Sequence, residues 1–92
     1  MDQHTWRAIF ILLGINSSLG QKIYHAGATE SADAEKLWLS LYDQANHSRP
    51  GQKALEAFDK VIALYETNHA DIAEGLHAAR EQFAYDFNLS VA

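Results

Sequence analysis

Ninety-two residues, 48% of them hydrophobic and including two Trp, four Tyr and four Phe, supply the apolar material for one small domain and argue against a disordered chain. The absence of cysteine removes disulfides, thiolate metal ligands and cysteine nucleophiles together. The net charge of −5 is uneven, with one acid and two bases in residues 1–29 but eleven acids and five bases in residues 30–92, so there is no basic stripe and no direct nucleic-acid binding is expected.

The first predicted element runs over residues 5–25. At about 100° per residue, Trp6, Ile9, Phe10, Leu13 and Tyr24 form one apolar stripe. Ala8, Leu12, Ile15, Leu19 and Ile23 form a second, roughly 130° away. Arg7, Ser18, Gln21, Lys22 and His25 make a polar strip, interrupted by Ile11. A helix apolar on two faces must be covered on most of its circumference, by its own chain or by another molecule. Gly14 and Gly20 within it are expected to permit close helix packing. The apolar run Ala8 to Ile15 is far short of the ~20 residues that span a bilayer. Ser18-Leu19-Gly20 has the small-x-small outline of a signal-peptide cleavage site, but Asp2 cancels Arg7 where a leader carries positive charge. The segment is therefore read as part of a cytoplasmic fold.

Ala26-Gly27-Ala28 marks the first break, with Gly27 suited to a left-handed cap and Thr29 or Ser31 to capping the next helix. That helix is predicted over 31–46, where Ala34, Leu37, Trp38, Leu41, Tyr42 and Ala45 recur at helical spacing and Leu39 falls off the stripe. Asn46 to Gly51 is the second break, with Pro50 suited to a first helical turn. Beyond it, Leu55, Phe58, Ile62 and Tyr65 form one stripe, and Ile72, Leu76, Ala79, Phe83 and Phe87 another. Asn68 followed by Asp71 resembles a capping pair and favours two helices, 51–66 and 69–88. An unbroken seam of four- and three-residue steps from position 58 to 83 would instead suit one helix of about 55 Å.

The sharpest chemical pattern is a pair of Glu-x-x-His spacings, Glu66 with His69 and Glu74 with His77. Carboxylate-bridged di-iron bundles use this spacing to aim two ligands at one metal. The other helices offer mainly Asp33, Glu35 and Asp43 on or near polar faces, so a solvated strip is the expectation and no metal or cofactor is assigned. His4, His25 and His47 fall near helix ends. No nucleophile elbow, phosphate loop or dinucleotide fingerprint is present. A helix-turn-helix built around Arg49, Lys53 and Lys60 would carry Glu56 and Asp59 beside its bases, leaving little attraction for phosphate.

These observations predict an all-α protein, a small bundle of about four helices, or three if the last two run on as one. The expected role is non-catalytic protein binding, as in a small inhibitor, immunity factor, adaptor or assembly partner, with a foreign protein or a second copy as partner. The aromatic stripe is assigned to the core. The partner-binding surface is assigned to Ala8, Leu12, Ile15, Leu19 and Ile23, a smooth aliphatic face suited to another helix. The alternative is a metal-binding helical enzyme using Glu74 and His77.

Overall fold

Asp2 starts the first helix, its carboxylate accepting the Thr5 amide at 2.8 Å, a bond that also holds the Asp2 carboxyl below its ordinary pKa. The computed structural model describes residues 2–26 and 32–89, and among these it is helical with no strand. The helices are α1 (Gln3–Leu12), α2 (Ser17–His25), α3 (Ala32–Ala45), α4 (Gln52–Ala63) and α5 (Ala70–Asp86). Gly27, Thr29 and Ser31, the expected caps between α2 and α3, lie outside the described residues.

The predicted helix over 5–25 is two helices, and the cause is local. Gly14 adopts a left-handed φ of 71°. The Ile15 amide donates to Phe10 O at 2.9 Å and the Gly14 amide to Ile11 O at 3.2 Å, the paired bonds of a Schellman termination. Two residues later Asn16 restarts the helix, its Oδ1 accepting the Leu19 amide at 2.8 Å. Gly14 therefore serves a turn rather than close packing. Since an L side chain costs about 1–2 kcal/mol in this conformation, Gly14→Ala is expected to lower unfolding stability by about that amount in urea titration. An unchanged midpoint would show that the turn does not need its glycine.

Near the middle of the sequence, buried Pro50 precedes Gly51, whose carbonyl accepts the Ala54 amide at 3.0 Å as α4 begins. After α4 the chain makes tighter turns, with Leu64 and Tyr65 donating three residues back. The His69 carbonyl, rather than the Asn68 side chain, then meets the first amides of α5, at 3.0 Å from Ile72 and 3.1 Å from Ala73. The C-terminal half is thus two helices. A straight helix of about 55 Å would not fit a body whose longest extent is 32 Å.

The packing runs in series, α1 on α3, α3 on α4, α4 on α5 and α5 on α2. The two apolar stripes of α4 and α5 close on each other, with the Phe58 and Phe83 rings 5.5 Å apart. At the other end Trp38 is the hub. Its ring meets Trp6 at 5.7 Å and Phe10 at 5.8 Å, both edge-on, and its Nε1 donates to Tyr65 Oη at 3.0 Å. Burial pushes the Tyr65 phenol above its usual pKa, while the bond from Trp38 pulls it back. Trp6, Ile9, Phe10 and Leu13 are core as expected, but Tyr24 is 43% exposed because α2 does not continue the line of α1.

Candidate protein-binding surface

The turn at Gly14 leaves a groove of about 520 Å³ lined by residues of both α1 and α2. Their approach is close, since a Cβ on Gly20 would lie 3.0 Å from Phe10 Cδ2. This is the role expected of Gly20. Buried Phe10, Ile15 and Gly20 floor the groove, and two exposed apolar side chains flank it, Ile11 at 70% and Tyr24 at 43% exposure. Its other lining residues include Arg7, Gln21 and His25, and among the described residues no carboxylate lines it. The result is an apolar trough with a weakly cationic border.

The five residues expected to form the partner-binding stripe do not share one outward face. Ile15 is buried and Ile23 is fully buried, both within the protein's own core. Leu19 is half-buried and seals α2 onto α5, with both of its methyl groups only 2.9 Å from where a Cβ on Gly75 would stand. Only Ala8 and Leu12 face outward, Leu12 at 36% exposure. The correction follows from the helix break, because the stripe assumed one continuous 3.6-residue period across Gly14. The α2–α5 seam is further tied by Lys22, whose Nζ lies 3.3 Å from Asp71 Oδ2 and holds that carboxyl below its usual range.

Periodicity passed over Ile11, which stood out only as an interruption of a polar strip. It also passed over the far end of α5. Tyr85 is 82% exposed, and Phe87, expected in the core stripe, is 44% exposed although its ring rests 4.7 Å from that of Phe83. Residue 87 lies just past the last helical turn, so the stripe's phase no longer governs it.

The Glu-x-x-His pattern does not assemble a ligand set. Glu74 and His77 both lie in solvent, and His77 Nε2 stands 4.0 Å from Glu66 Oε1 in an exposed pair. Among the described residues no three His, Cys, Asp or Glu side chains converge. His77→Ala is accordingly expected to move stability by less than about 0.5 kcal/mol, the range of exposed substitutions. A large loss of stability, or bound metal that disappears with the substitution, would give His77 a role that this position does not suggest.

Arg49, Lys53 and Lys60 are exposed, as are Glu56 and Asp59 between them. Asp59 is engaged by Arg80 of α5, with Nη2 to Oδ2 at 3.2 Å and Nε to Oδ1 at 2.8 Å, which links α4 to α5. Among the described residues no helix is long and apolar enough to cross a membrane. No family model, no curated protein and no solved structure matches this chain.

Proposed function

We propose that this chain is a non-catalytic protein-binding module, such as a small inhibitor, immunity factor, adaptor or assembly partner, that receives a partner polypeptide in the α1–α2 groove. The observation that carries this reading is Ile11, 70% exposed beside a trough whose floor is already apolar. Fully burying a side chain of this kind is worth roughly 1.5–3 kcal/mol, so a partner covering Ile11 and Tyr24 together recovers free energy that the isolated chain forgoes. With Arg7 on the groove and no carboxylate lining it among the described residues, the complementary partner presents apolar side chains beside acidic ones.

A photo-activated cross-linker at Gln21, on the groove, tests the reading in the native cell. The expected result is a discrete polypeptide adduct that is lost in the Ile11→Asp variant while its thermal unfolding stays close to that of the unmodified chain. No adduct, or one indifferent to Ile11, would overturn it.

A further inference from the structure

The same chain carries a surface that fits its own groove. At the end of α5, Tyr85 and Phe87 are 82% and 44% exposed. Glu81 stands one helical turn before Tyr85 and Asp86 lies between the two aromatics. The groove offers the opposite character, with exposed Ile11 and Tyr24 for apolar contact over a floor of buried Phe10 and Ile15, and Arg7 at its border. Both surfaces stay exposed in a single chain, so neither covers the other within one molecule.

We propose that the α5 end of one copy, led by Tyr85 and Phe87, docks in the α1–α2 groove of a second copy, forming a head-to-tail contact. This names the partner of the groove and rests on the groove being a protein-binding site. Charge selects the arrangement. Exposed Arg7 lines the groove while the chain carries −5 overall, so the Glu81 and Asp86 carboxylates meet a cation there, whereas contact with the acidic remainder of the chain repels them. A head-to-tail contact leaves one groove and one α5 end unused and so extends into rings or open chains. A patch of this size belongs with small, transient interfaces.

Sedimentation equilibrium from micromolar to millimolar protein tests the contact. The average mass is expected to rise with concentration and to fall again with added salt, as charge attraction is screened. Ile11→Asp and Tyr85→Lys are each expected to weaken association at least about tenfold, and circular dichroism checks that both remain folded, as their exposure implies. Mixing the two variants is the decisive arm. The Ile11→Asp chain keeps an intact α5 end and the Tyr85→Lys chain an intact groove, so the mixture should form a one-to-one dimer that does not grow. A chain that stays monomeric, variants that associate like the unmodified protein, or a mixture as dissociated as its components would each overturn the proposal. If the chain stays monomeric while the Gln21 cross-linker still captures another polypeptide in an Ile11-dependent way, the self-contact falls and the groove's role stands. If both signals are absent, both fall.

Discussion

Trp38→Ala is expected to leave the chain without a cooperative native state at room temperature. The Trp38 side chain is fully buried on α3, holds the rings of Trp6 and Phe10 edge-on, and donates its Nε1 hydrogen to Tyr65. Removing a buried tryptophan costs about 3–5 kcal/mol, and leaving the Tyr65 hydroxyl without its donor adds roughly 1–3 kcal/mol. A chain of this length has about 5–14 kcal/mol in total, with the lower part of that range fitting so small a core. Near-ultraviolet circular dichroism and the fluorescence of the remaining Trp6 should lose their cooperative urea transition. Tyr65→Phe is the milder companion, expected to cost about 1–3 kcal/mol by orphaning the buried Trp38 N–H. A Trp38→Ala midpoint near that of the unmodified chain would remove Trp38 from the centre of the core.

The second large effect separates the two sides of α1 and α2. Ile23 has 0% exposure and Ile11 has 70%, so the same change to aspartate should have opposite outcomes. At position 23 a carboxylate loses its hydration without a partner, and the penalty of several kcal/mol adds to the lost apolar burial. The Ile23→Asp variant is expected to be unfolded. At position 11 the carboxylate stays in water and meets only the unfavourable end of the α1 dipole, worth about 0.3–1 kcal/mol, so Ile11→Asp is expected to melt within a few degrees of the unmodified chain. Parallel thermal melts followed by circular dichroism decide the matter. A folded Ile23→Asp would turn the aliphatic side of α2 outward, restoring it as a surface and dissolving the packing described for Leu19 and Ile23.

The elements that periodicity described well are those with one apolar face. In α3, Trp38, Leu41 and Ala45 point inward and Leu39 outward, because a single stripe leaves only one way to dock. The same holds for Leu55, Phe58 and Ile62 of α4 and for Ile72, Leu76 and Phe83 of α5. The N-terminal segment differs because apolar residues surround most of it, so hydrophobicity could not report where one helix ended. The signal that did report it was local and short: a glycine at position 14 able to take φ of 71°, followed by Asn16 as an N-cap. Ile11 and Tyr85 left no periodic trace, since one interrupts a polar face and the other lies outside the stripe of its helix.

Residue spacing alone foretold a helical chain, a break between α3 and α4, and an apolar inner face on each. Each of these rests on patterns that act within a turn or two of helix. Which apolar residues of the first 26 are covered is instead settled by how the helices pack. That depends on how far the Gly14 turn swings α2 away from the line of α1, and on Gly75 of α5 lacking a side chain where Leu19 must fit. Burial is a property of what passes over a residue, and for Ile15 and Ile23 the covering comes from the chain's own core, while Ile11 is left beside an open groove.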